Sequence, residues 1–260
     1  MKQDRYNKLV VCGCSVSDRT RVRYAYGDHL AASLGNIEYL HLAGGAGSDK
    51  RNIRLLVQAI QRGEVDSNSL VLFQPAEVIR REIPSHISEE YYQEHVAGVD
   101  EKNKKHLGAT PVYDKTLTGQ IVARFKLDSY HWQTDPSDRA VQLAYQENPG
   151  CLNGIYDAEM LSVYWYMLEA LCENKGITFV VVEDCNRGWP AEIFDNYGDV
   201  IKEEYYNKDN WVNMDDFITP IQRSEMFALD PPRDITHFNR EGHIFVADEL
   251  EKLLRQRGII

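Results

Sequence analysis

"KLVVCGCSVSD", residues 8–18, is an apolar run that stops at Gly-Cys-Ser and then turns polar. A short apolar run bounded by a turn signal fits a β-strand covered on both faces. The segments that follow decide what kind of sheet it joins. "VRYAYGDHLAASLG" (22–35) has helical apolar spacing and closes on Gly35 as a C-cap. "IEYLHLA" (37–43) is strand-like. "SDKRNIRLLVQAIQRG" (48–63) reads as an amphipathic helix with Ser48 as N-cap and Gly63 as its stop. "SLVLFQ" (69–74) is a third strand, halted by Pro75. Strand, helix, strand, helix, strand with short joins implies a parallel sheet covered on both faces.

Beyond that frame the pattern breaks twice. Residues 83–150 mix charges, tyrosines and prolines without long periodicity, which predicts an insertion with its own short elements, or a lid. The alternation resumes with a helix in "YDAEMLSVYWYMLEALCENKG" (156–176) and a strand in "ITFVVVED" (177–184). Residues 185–232 form a second irregular stretch, and "NREGHIFVADELEKLLRQRG" (239–258) closes the chain as an amphipathic helix. The expectation is one domain over residues 1–260. It is a three-layer α/β/α sandwich with a mostly parallel, flavodoxin-like sheet and two irregular insertions.

Bulk properties exclude some functions. The chain has 260 residues, with 29 Lys and Arg against 40 Asp and Glu, a net charge of −11. Phosphate contacts need clustered cations, and the basic residues here are scattered, so a nucleic-acid partner is not expected. No stretch approaches the roughly 20 apolar residues of a membrane span, and the N-terminal apolar run is too short for a signal peptide. A soluble cytoplasmic protein is expected. The five cysteines (Cys12, Cys14, Cys151, Cys172 and Cys185) show no metal-ligand spacing and read as reduced thiols.

In an open parallel sheet, ligands bind beyond the carboxyl ends of the strands. Three polar segments fall there: Gly13-Cys14-Ser15-Val16-Ser17, the run "AGGAGSD" (43–49), and Gln74-Pro75-Ala76. A fourth feature, "RDITHFNREGH" (233–243), puts Asp234 and His237 three residues apart ahead of the last helix. A serine hydroxyl is a weak nucleophile until a base takes its proton. An imidazole can do so when a carboxylate fixes its tautomer, and Asp-x-x-His in one turn brings those two groups together.

Together these blocks resemble the SGNH hydrolases, also called the GDSL esterase/lipase superfamily. Gly13-Cys14-Ser15-Val16-Ser17 is similar to the family's Gly-Asp-Ser-x-Ser/Thr block, with Cys14 in place of the usual Asp. "DITHFNREGHIFVADEL" (234–250) is similar to its last block. The Gly-Cys-Ser opening also resembles a branch of the superfamily found in bacteria and phages, so a phage-encoded protein fits. The resemblance spans both ends of the chain and leaves out the two insertions.

What the resemblance implies is a serine esterase that needs no cofactor and no metal. Ser15 would be the nucleophile, His237 the base and Asp234 its orienter. Gly45 or Gly47 would give a backbone N–H to the oxyanion. The family's third block, Gly-x-Asn, meets Gln74-Pro75-Ala76 here, so Ala76 stands where a side-chain donor is expected. Losing one such donor costs on the order of 3 kcal/mol in a well-evolved site. Gln74 could aim its amide into the same space, although a glutamine at a strand end is commonly a surface residue.

The expected substrate is an acyl ester, with O-acetyl on a carbohydrate favoured by polar, tyrosine-rich insertions. An acyltransferase would use the same triad. The alternative is a catalytically weak or inactive glycan-binding or virion-associated protein on the same fold. Four further features carry weaker signals. Strand alternation puts Cys12 and Cys14 on one face, with Ser15 turned away. Glu183 and Asp184 end a strand and read as solvated or capping carboxylates. "DSYHWQTD" (128–135) could stack on sugar rings, and "VYWYML" (163–168) reads as helical core.

Overall fold

The computed structural model describes residues 5–14, 17, 19, 22–44, 48–76, 80–84, 89–92, 112–115, 121–126, 154–183, 209–219, 222 and 237–260. The first half gives β1 (Lys8–Cys12), α1 (Tyr26–Ser33), β2 (Glu38–His41), α2 (Asp49–Gln61) and β3 (Ser69–Phe73). Then come β4 (Arg80–Pro84), the single turn α3 (Glu89–Tyr92), β5 (Val112–Lys115) and β6 (Ile121–Lys126). The second half gives α4 (Gly154–Asn174), β7 (Thr178–Glu183), β8 (Trp211–Asn213), a 3₁₀ turn (Met214–Asp216) and α5 (Arg240–Gln256).

The helix boundaries follow their capping chemistry. The Ser48 side chain accepts from the Arg51 N–H and starts α2. The Asn239 side chain accepts from the Gly242 N–H and starts α5. Before α1, the Asp28 carboxylate reaches back to the Ala25 N–H. Gly35 after α1 and Gly63 after α2 have positive φ, at 94° and 71°, as a glycine C-cap requires.

The main sheet has the order β2-β1-β3-β7-β8, and every pairing in it is parallel. Strand alternation sends its residues to two opposite cores. Leu9, Val11, Leu70, Leu72, Val180 and Val182 pack with α1 and with Val246, Leu250 and Leu254 of α5. Val10, Val71, Phe73, Phe179 and Val181 pack with Leu56 of α2 and with Trp165 and Leu168 of α4. Helices therefore cover both faces, and the expected three-layer α/β/α sandwich with a flavodoxin-like strand order is what the chain forms.

Two details fill in the insertions, and two correct the sequence reading. The first insertion region carries a three-stranded antiparallel sheet, β4-β6-β5, that begins at Arg80, ahead of residue 83. Its strands are four to six residues long, too short to show a period of their own. The second insertion supplies β8, a three-residue strand that pairs with β7. Cys12 and Cys14 do not share a face: Cys12 packs toward α2 and α4, and Cys14 toward α1 and α5. The strand ends at Cys12, so its alternation stops before Cys14. Finally, "VYWYML" is only half core. Trp165 and Leu168 are buried, while Val163, Tyr166 and Met167 are exposed on the opposite side of α4.

Candidate functional site

The strand order reverses direction between β1 and β3: the chain goes from β1 outward to β2, then returns to the other side of β1. At such a switch point the loops leaving the two strands diverge and open a crevice at the carboxyl edge. The residues there are Gly13, Cys14 and Ser17 after β1, and Gln74, Pro75 and Ala76 after β3.

These two loops are joined side chain to side chain. The Ser17 hydroxyl donates to Gln74 Oε1 in a buried hydrogen bond. The Gln74 backbone N–H donates to Cys12 O at 2.8 Å, extending the β1–β3 ladder by one step. Gly13 is what lets the groups meet. A Cβ built on it would lie 2.0 Å from Ser17 Oγ and 3.0 Å from Gln74 Cβ. Gln74 is fully buried, which corrects the expectation of a surface residue. With Oε1 occupied by Ser17, its Nε2 has no hydrogen-bond partner among the described residues. A buried amide donor without an acceptor is costly and marks a position where a ligand oxygen can bind.

Ala76 is buried, and its N–H donates to Asp49 Oδ1 at 2.7 Å. The loop after β3 is thereby fixed to the first turn of α2. Asn52, one turn further along α2, is also fully buried, and its Nδ2 has no partner among the described residues. Arg51 donates to Leu42 O at 3.0 Å and ties the same turn to the exit of β2.

The exit of β1 is held from its far side. Arg19 forms a two-point ion pair with Asp28 of α1, through Nε to Oδ2 at 3.0 Å and through Nη2 to Oδ1. Its guanidinium also sits over the Tyr39 ring, 5.3 Å from the centroid. The loop between Gly13 and Ala25 is therefore anchored to the sheet at one end and to α1 and β2 at the other.

His237 belongs to the turn that enters α5. The start of α5 lies against the start of α1, because the Tyr26 N–H donates to His243 Nδ1 at 3.1 Å. The far end of α5 reaches the opposite edge of the sheet, where the Tyr6 hydroxyl donates to Ile259 O at 2.9 Å just ahead of β1. The His237 turn is thus at the carboxyl edge, on the same side of the sheet as α1. His237 is half-buried and lies near enough to His243 to lower that residue's basicity. Burial is the larger cause, and the His243 pKa falls to about 4, so this imidazole is neutral at neutral pH.

Ser15, Gly45, Gly47 and Asp234 lie outside the described residues, as do Asp184 and the 128–135 segment. Of the expected site residues, the structure brings Gln74 to the switch crevice and His237 to the carboxyl edge. Glu183 departs from expectation: it is buried and accepts from Trp211 Nε1 at 3.3 Å. Its partner Trp211 packs in the core on the α4 face of the sheet. Sequence reasoning missed Ser17 as the partner of Gln74 and His243 as the partner of Tyr26. The signal for His243 was present, since it shares the 243, 246, 247, 250 buried stripe of α5.

Cys14 is buried in the apolar core beneath α1 and α5, the packing role expected of it. Burial pushes the Cys12 thiol far up, an effect that Arg51 only partly offsets, and pushes Cys172 up to about 12. Neither forms a thiolate at neutral pH. Among the described residues, no helix is long and apolar enough to cross a membrane.

No family model matches the sequence, and no curated protein matches it. Two solved structures are similar along nearly the whole chain. One is the psychrotrophic esterase EstA from Pseudoalteromonas sp., in a form inhibited by monoethylphosphonate, at 11% identity and a TM-score of 0.47, covering 96% of this chain and 97% of that one. The other is a GDSL-like lipase from Bacteroides thetaiotaomicron, at 11% identity and a TM-score of 0.43, covering 96% of this chain and 88% of that one.

Proposed function

We propose that this protein is a serine hydrolase of the SGNH type that cleaves an acyl ester. Ser15 attacks the ester carbonyl. His237 takes the serine proton as general base and returns it to the leaving alcohol as general acid, and Asp234 holds the imidazole. The oxyanion rests on the backbone N–H of Ser15 and of Gly45 or Gly47, with the Gln74 side-chain amide as the third donor. A second water-driven round hydrolyses the acyl-enzyme. The substrate class we favour is a short acyl ester on a carbohydrate.

One observation carries most of the weight. Gln74 is buried at the β1–β3 switch point, turned by Ser17 so that its Nε2 has no acceptor among the described residues. In the superfamily's pattern an Asn two residues later supplies this donor. Here the longer Gln side chain reaches from position 74, and Ala76 no longer needs one. A preorganised amide of this kind in a dry crevice is what an oxyanion hole requires.

A second reading is favoured by Ala76 itself. It brings no side-chain donor, and its N–H is already taken by Asp49. A protein that keeps the frame but binds glycans without cleaving them would look the same at this position. Kinetics with p-nitrophenyl acetate on the wild-type and Gln74→Ala proteins separate the two. Turnover that depends on Gln74 supports the hydrolase; wild-type protein with no turnover, even of this activated ester, supports the binding module.

A further inference from the structure

We propose that His243 is the positioning residue of this site: its imidazole bolts the His237 turn to the start of α1. The inference rests on the hydrolase reading above and adds a residue that reading does not use. The nucleophile segment and the base segment come from opposite ends of the chain, and each leads into its own helix, α1 and α5. Their meeting depends on how the two helix starts are joined.

The joint is specific. Tyr26 is the first residue of α1, so its N–H has no acceptor within the helix. It donates instead to His243 Nδ1 at 3.1 Å, in a buried bond. Nδ1 is therefore the acceptor, and the one proton of the neutral ring is on Nε2. The ring lies between two aromatic neighbours. It stacks on Tyr26, with centroids 6.3 Å apart and planes at 26°, and meets Phe238 edge-on at 5.7 Å and 79°. Phe238 is fully buried and directly follows His237. The His243 backbone N–H donates to Asn239 O at 3.0 Å, which closes the first turn of α5. One imidazole thus touches the first residue of α1 and the residue next to the proposed base.

Burial keeps that imidazole a neutral acceptor; the nearby His29 and His237 act in the same direction, and Asp28 opposes them. From α1, His29 and Asp28 face it, and Asp28 is held by Arg19 from the preceding loop. From the turn before α5, His237 faces it. A proton on Nδ1 would break the bond to Tyr26 and set a second cation beside His237. During turnover His237 becomes the imidazolium, and a neutral His243 adds no repulsion to it.

The test uses three variants of the full chain, each first checked for folding by circular dichroism. His243→Asn keeps an acceptor oxygen near the Nδ1 position. His243→Gln moves the amide toward the Nε2 position, and His243→Leu removes the acceptor. A small misplacement of reacting groups costs about 100-fold in rate. The Leu and Gln variants should lose about that much kcat on p-nitrophenyl acetate with KM little changed, and Asn should recover most of it. A folded Leu or Gln variant with wild-type kcat overturns the proposal, as does an Asn variant no better than them. Nitrogen NMR of the His243 ring gives a readout free of activity: Nδ1 should be unprotonated, and a proton found there also overturns the proposal. Wild-type protein silent toward esters and toward a fluorophosphonate overturns the hydrolase reading itself, and the catalytic role of His243 with it. An active wild type with an indifferent His243 overturns only the positioning role.

Discussion

Ser17 and Gln74 are joined by a buried side-chain hydrogen bond across the switch point between β1 and β3, and that bond leaves the Gln74 Nε2 group without an acceptor among the described residues. The two residues are 57 positions apart in sequence and belong to different loops. Gln74→Ala should therefore lower kcat/KM for p-nitrophenyl acetate by about 100-fold to 1,000-fold, the cost of one oxyanion donor. Gln74→Glu preserves the length and the Ser17 contact but replaces the donor by a carboxylate, and should be no better. Steady-state kinetics at neutral pH give the answer. Full activity in Gln74→Ala would remove this residue from the oxyanion hole.

Gly13→Ala tests the same crevice through packing. The new methyl group would collide with Ser17 Oγ and press on Gln74 Cβ. Overpacking of this kind costs about 1–3 kcal/mol. The variant should show a lower urea midpoint together with a loss of activity. Gly63→Ala is the control. Gly63 follows α2 with a φ of 71° and nothing within 4 Å of an added Cβ, so the variant should destabilise the fold through backbone strain and leave turnover in the folded fraction intact. Equal effects of both on activity per folded molecule would mean that Gly13 has no special role.

The buried His243 makes stability depend on pH in a defined direction. Its pKa is about 4 in the fold, against an ordinary imidazole value of about 6.5. Between those values the unfolded chain binds more protons than the folded one, so stability rises with pH. The contribution is complete above about pH 6.5 and is lost as pH falls toward 4, by roughly 3 kcal/mol in the limit. Urea titrations at pH 7 and pH 5 should show a larger drop for wild type than for His243→Asn. The same drop in both proteins would contradict a buried neutral imidazole.

Cys12 and Cys172 should be inert in the native state. Both thiols are buried and their ionisation is suppressed, so Ellman's reagent should reach neither until denaturant is added. Rapid labelling of either in the folded protein, read by mass spectrometry, would contradict the packing described.

The frame was legible in the sequence because it is written in periods and caps. Gly35, Ser48 and Gly63 are chemical punctuation, and each falls at the end of a helix it predicts. The parallel strands are short apolar runs with no competing helical reading. The rest depends on tertiary packing. Gln74 reads as a surface residue because nothing local shows that Ser17 will cover it. Cys14 crosses to the other core because the strand stops two residues earlier, a boundary that an unbroken Val-Val-Cys-Gly-Cys run does not reveal. His243 looks like a polar interruption of a helix until Tyr26, 217 positions away, supplies the donor that gives it a purpose. Three-residue β8 carries no period at all.

Labelling with a fluorophosphonate, followed by peptide mass spectrometry, reaches the centre of the matter most directly. The wild-type protein should be modified once, on Ser15; Ser15→Ala should remain unmodified; and Cys14→Ala should label as wild type does. A wild-type protein that stays unmodified, or a label found on Cys14, would contradict a serine nucleophile at the end of β1.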